Sequence, residues 1–167
     1  PEPAFMEALL RDAVSCTISI EKEGFPFIHV AFFVYDKEQH EIIFHFSKHG
    51  YAGDQITDGK KAAISVYRYG KLYTAEKAVD FGCEYQSLIL YGNITIIIDE
   101  NERMSAMQKF FQKFFSNSSH EYEAFTSAEA KPIHVAKMKI ADWFGKEHLV
   151  PDFAKEYFYF PVSPVIE

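Results

Sequence analysis

Cysteine is scarce: Cys16 and Cys83 are the only two in 167 residues. Two isolated thiols make no disulfide framework and no Cys-x-x-Cys metal spacing, so a reduced, cytoplasmic setting is expected. Long apolar runs are missing too. The longest uncharged stretch of the apolar middle, Tyr85–Ile98, is broken by Gln86, Ser87, Gly92, Asn93 and Thr95. It is shorter than the roughly 18–20 residues a membrane helix needs, so no membrane association is expected. The first residues carry no basic segment and no apolar run of a signal peptide. Positive charge is in deficit, with 17 Lys and Arg against 24 Asp and Glu, a net −7. Such a surface repels phosphate backbones, and no nucleic-acid partner is expected. There is no Gly-x-Ser-x-Gly elbow and no Walker loop, which leaves hydrolase and nucleoside-triphosphatase readings unsupported.

Aromatic residues are abundant: 17% of the chain, with 17 Phe and 10 Tyr. A core can use them, and so can a flat ligand. The apolar spacing of Phe5, Met6, Leu9 and Leu10 predicts a short N-terminal helix over Phe5–Ala13. Period-2 segments then follow at Val14–Ile20, Pro26–Tyr35 and Glu41–Ser47, separated by polar turns, which reads as an antiparallel meander. His49–Ile56 breaks the pattern with two glycines. Ala62–Tyr69 returns to strand, and Arg68–Ala78 is ambiguous. Phe81–Ile98 reads as a long strand bent at Gly92-Asn93. Asp99–Phe115 is the clearest helix. Asp99 stands as N-cap with Glu102 three residues on, and Met104, Met107, Phe111 and Phe114 form a stripe widened by Phe110 and Phe115. Ile133–Ile140 closes the pattern as the last strand.

These elements predict a mainly β fold with helices: a six-stranded antiparallel split β-barrel, a short N-terminal helix and one long helix before the last strand. Residues 1–150 would be the barrel domain. Residues 151–167, rich in proline, would form an extended tail packed on the barrel or on a partner subunit. Parity puts Ile42, Phe44 and Phe46 on one face of their strand and Ile43, His45 and Ser47 on the other. Several strands are apolar on both faces. A second buried surface follows, either a dimer interface, a flat ligand or both, unless the inserted helix and the tail cover those faces. His45 and His49 are spaced His-x3-His across a strand end, a poor zinc pattern, and no metal site is expected.

Three strings add a resemblance. Glu23-Gly24-Phe25-Pro26-Phe27 leads into the second strand. Ile42-Ile43-Phe44-His45-Phe46-Ser47 is followed by Gly50. Tyr85-Gln86-Ser87-Leu88-Ile89-Leu90-Tyr91-Gly92 precedes the long helix. In this order, and with Ile133–Lys146 as the closing strand, they resemble the pyridoxamine-phosphate-oxidase-like FMN-binding split barrels. The similarity is greatest to the nitroimidazole-resistance and flavin-nucleotide-binding branch, and it spans about residues 12–146. The resemblance implies a homodimer with FMN at the subunit interface and a flavin-dependent oxidoreductase acting on an unidentified small molecule, such as a nitro compound or a quinone. It implies that Phe32, Phe33, Val34, Phe44, His45, Phe46, Ser47 and Lys48 line the flavin, with Ser65, Tyr67, Tyr85, Ser87 and Lys146 near the site or interface. His45 is the candidate catalytic group. One position departs from the family: Ala52 stands where such proteins usually place a lysine on the flavin phosphate, with Lys48, Lys60 and Lys61 as possible substitutes. The alternative is a non-catalytic flavin- or haem-binding module, with His29, His45, His49 and His134 available as axial ligands.

Overall fold

The computed structural model describes residues 3–159. It has helix α1 (Pro3–Asp12) and strands β1 (Ser15–Lys22), β2 (Phe25–Asp36) and β3 (Glu41–Ser47). Next come a short helix α2 (Tyr51–Gln55), strand β4 (Lys61–Thr74), strand β5 (Gly82–Ile96) and helix α3 (Glu100–Phe115). Strands β6 (Ile133–His148) and β7 (Glu156–Tyr159) end the described chain. Among the described residues, no helix is long and apolar enough to cross a membrane.

The sheet order is β1-β2-β3-β6-β5-β4-β7, and β1 also pairs with β4. Six strands therefore close into an antiparallel barrel, as the sequence pattern predicts, and β7 hangs on the far end of β4. Closure is local, resting on Thr17–Ser65, Ile18–Ile64, Ser19–Ala63 and Ile20–Ala62. The split lies between β2 and β3, which pair only from Phe33–Phe44 to Asp36–Glu41. Beyond that point β2 pairs with β1 and β3 with β6 alone. The β1–β2 hairpin turns through Glu23 and Gly24, both at positive φ, the two-residue loop that suits a twisted hairpin.

Parity decides the inside. Ile18, Phe33, Ile42, Phe44, Ile64, Leu88, Leu90 and Met138 are fully buried, and Leu9 and Leu10 of α1 plug one end. A second, smaller core lies outside the wall, where α3 lays Ala106, Met107 and Phe110 over Val34, Ile43 and Val135. The α3 stripe is thus centred on Met107 and Phe110, while Phe115, expected to widen it, is exposed. Asp99 caps α3 by accepting from the Glu102 N–H at 2.8 Å. The reciprocal half of a capping box is replaced, because the Glu102 carboxylate takes Lys137 Nζ at 2.6 Å.

One expectation is corrected. The last strand does not stop at Ile140. After a register shift opposite Tyr91 and Gly92, it continues to His148 on β5. In the tail, Glu156–Tyr159 forms a seventh strand on β4, extended and exposed. Only edge pairing is asked of it, which suits a segment flanked by proline. Pro161 and Pro164 lie outside the described residues.

Gly92 is required at the bend. A Cβ there would stand 2.2 Å from the Lys139 carbonyl oxygen and 2.8 Å from Met138 Cγ. Gly92→Ala is expected to destabilise the fold by about 1–3 kcal/mol, read as a lower denaturant midpoint at unchanged slope.

Lys113 of α3 reaches back over the barrel mouth. Its Nζ donates to the Ala13 carbonyl at 2.7 Å and the Phe33 carbonyl at 3.0 Å, and lies 4.2 Å from the Phe33 ring centre. Burial pulls its pKa from the ordinary 10.5 down to about 8. Between these values the unfolded chain binds the extra proton, so this group makes stability rise with pH across that window. Lys113→Met is expected to remove that rise, which denaturation midpoints near pH 8 and near pH 10 for both proteins would reveal.

Candidate functional site

The residues singled out from the sequence separate into four places. Phe33 and Phe44 are fully buried inside the barrel and Phe46 nearly so. Their alternation turns the side chains inward, so it is through their backbone that they can meet a ligand outside the wall. Val34 is sealed under α3.

His45 and Phe32 meet at the second place. His45 points outward from β3 beneath α3, and its ring stands edge-on to Phe110 at 4.8 Å. Phe32 stands 5.5 Å from Phe114. Together with Val14, Met107, Phe111 and Phe115 they line an apolar hollow of about 500 Å³. Burial lowers the His45 pKa, so the imidazole is neutral at physiological pH. His45 Nδ1 is buried without a hydrogen-bond partner, one of two such side-chain atoms among the described residues, the other being Arg103 Nε.

The third place is the outer face of β4, β5 and β6. Tyr67 pairs with Ser87, and Ser87 with Lys146. Lys146 Nζ lies 5.4 Å from the Tyr85 ring centre, and the hydrogen bond to Tyr85 raises its pKa. Tyr85 also stacks on His148, whose Nε2 is 2.7 Å from the Tyr73 hydroxyl. Ser65 lies one row away, in a cross-strand line that runs Val30, Thr17, Ser65, Ile89, Phe144. The next line runs Ile28, Ser19, Ala63, Tyr91, Asp142. Val30 and Phe144 are each 65% exposed, and Ile28 and Phe32 each 59%. Within the described residues, neither α3 nor the tail covers these rows. None of Tyr85, Ser87 and Lys146 lines the His45 hollow.

The fourth place is the β3–α2 junction. Ser47 Oγ accepts from the His49 N–H at 3.1 Å, and Lys48 binds Pro132 through its backbone. Ala52 is half-buried against the core. Lys60, a proposed substitute cation, donates to the Glu21 carbonyl at 3.2 Å, and Lys61 is exposed at the start of β4. The cation held beside Ala52 is one that the sequence pattern did not single out. Lys22, at the end of β1, donates to the Tyr51 hydroxyl at 2.6 Å and lies 4.4 Å from its ring centre. It is 30 positions from Ala52 in sequence, so tertiary packing brings its amine to the preceding residue, Tyr51.

The remaining histidines do not converge. His29 and His134 flank Phe46 at 6.3 and 5.4 Å between ring centres, both with pKa values lowered first by burial, and His49 is exposed. Cys83 is tied to the Glu84 carbonyl, and burial pushes the Cys16 thiol up to about 12, so neither is a poised nucleophile.

No curated protein matches the chain in sequence. Solved structures do match in fold. An FAD and haem binding protein from Mycobacterium smegmatis superposes with a TM-score of 0.82 at 17% identity, over 99% of this chain and 89% of that one. The flavocytochrome Anf3 from Azotobacter vinelandii gives 0.76 at 18% identity, over 98% and 82%. A candidate 5-nitroimidazole antibiotic resistance protein from Bacteroides thetaiotaomicron gives 0.67 at 15% identity, over 86% and 82%. The family profile described as pyridoxamine 5'-phosphate oxidase matches residues 2–147, almost the whole of the barrel, and the chain belongs to that family.

Proposed function

We propose that the protein binds a flavin on the outer wall of the barrel, at the seam of a homodimer, and serves as a flavin-dependent oxidoreductase on a small molecule. The observation that carries the reading is the wall itself. Its cross-strand rows place the hydroxyls of Thr17 and Ser65 between the exposed Val30 and Phe144, and that of Ser19 beside the exposed Ile28. A contiguous exposed apolar band of this kind marks a binding surface, and a flat ring with a polar edge is its complement.

The two groups of candidate residues support a dimer. The His45 hollow and the Tyr85–Ser87–Lys146 patch are separate on one chain, and a second copy laid against the wall would bring one chain's hollow toward the other's patch. Such a flavin would supply the redox chemistry. The chain's residues would orient it: Ser65, Ser87 and Tyr67 at the ring edge, Lys146 as a cation on the wall, and His45 as a neutral imidazole able to exchange a hydrogen bond with substrate. FMN is the proposed flavin by family resemblance. Several structural neighbours are described as FAD proteins, so FMN and FAD are both titrated. The haem alternative rests on His45, the one of the four histidines that lines the hollow. No cation lines that hollow to receive propionates, which favours the flavin.

Mass spectrometry of the molecule that co-purifies, together with flavin titration of the stripped protein, tests the reading. A colourless protein that takes up neither FMN nor FAD would end it. Lys22→Met is expected to weaken flavin binding about tenfold or more, the loss of one charge-assisted phosphate contact. Light scattering is expected to give a dimer, and the double change Val30→Glu with Phe144→Glu a monomer with unchanged circular dichroism.

A further inference from the structure

The hollow under α3 has features that a flavin seam does not require. Its walls are almost wholly apolar: Val14, Phe32, Met107, Phe110 and Phe114 surround one polar atom set, the imidazole of His45. The Nδ1 of that imidazole is buried and has no partner. A buried polar atom without a hydrogen bond is costly, roughly 1–3 kcal/mol, so a partner for it is expected. The nearest ring, Phe110, stands at 80° to the imidazole and offers no acceptor or donor.

These walls set the chemistry of an occupant. A charged molecule would lose its hydration against phenyl rings with no counter-ion among the lining residues. A purely aliphatic one would leave the imidazole nitrogen unpaired. The phenyl faces suit a flat aromatic body, and a hollow of about 500 Å³ has room for one of two fused rings. We infer that this hollow is a binding site for a neutral hydroxyl-bearing aromatic molecule, of the phenol or hydroquinol class, whose O–H donates to the imidazole of His45. As a statement about substrate class it rests on the flavin reading, while occupancy of the hollow does not.

The test uses the full chain stripped of any flavin, with three naphthalenes as probes in equilibrium dialysis. Expected is binding of 1-naphthol, about tenfold weaker binding of naphthalene, which lacks the hydroxyl, and at least a hundredfold weaker binding of 1-naphthoate, which is charged. His45→Phe, which keeps an aromatic ring in place, is expected to bring naphthol down to naphthalene's affinity and to leave naphthalene unchanged. Phe114→Trp is expected to fill the hollow and abolish both, with unchanged circular dichroism. The wild-type probe series stands by itself should a variant fail to fold. Equal affinities for naphthol and naphthalene, a preference for naphthoate, or no binding of any probe would overturn the inference. Displacement of naphthol by FMN would also overturn it, by making the hollow the flavin's own place. So would a Soret band on haemin titration that disappears in the His45 variant. Absence of flavin binding with the naphthol series intact would fail the flavin reading alone.

Discussion

Four residue pairs between β1 and β4 close the barrel, and the rest of the structure depends on them. Without them β1 and β4 would each keep an unpaired edge, and the sheet would be an open ribbon with two faces to bury. With them, one face of every strand becomes interior and the other becomes wall. Ile18 and Ile64 face each other in the core at the closure, while Thr17 and Ser65 face each other outside. Lys22, at the end of β1, donates to Tyr51 of α2, the residue before Ala52.

The barrel is closed on one side and split on the other. Where β2 and β3 part after Phe33 and Phe44, α3 crosses the outside and supplies a second core. Lys113 fastens the helix to the barrel mouth, and Asp36 and Lys109 form an ion pair nearer its middle. Between these fastenings and the wall lies the hollow, lined by aromatic rings and one neutral imidazole. The packing of α3 is thus the origin of this hollow, while the wall of β4, β5 and β6 carries the exposed rows.

Much of this is legible in local pattern. The bounds of β3, its alternation, the cap at Asp99 and the bend at Gly92 all follow from periodicity and residue type, and the structure has each of them. What the pattern does not carry is contact at long range. Ala141–His148 reads as the end of a strand because its alternation is broken by Gly145 and charged residues, yet β5 continues beside it and holds it in the sheet. Glu156–Tyr159 reads as tail because nothing nearby pairs with it, and β4 supplies the edge. The α3 stripe is displaced toward Met107 and Phe110 because the barrel surface beneath it chooses which part of a wide apolar arc is buried.

The aromatic excess divides on the same principle. By itself the sequence determined which residues alternate, where strands and helices begin, and which family the barrel joins, because these are properties of neighbours along the chain. It also placed Phe44 and Phe46 on one face of their strand and His45 on the other. Only the tertiary structure decided that His45 faces an apolar hollow rather than the Lys146 patch, that Lys22 stands beside Ala52, and that Val30, Thr17, Ser65, Ile89 and Phe144 form one row. The physical reason is that a side chain's direction is set within two residues of backbone, whereas its neighbours are set by register between strands far apart in sequence.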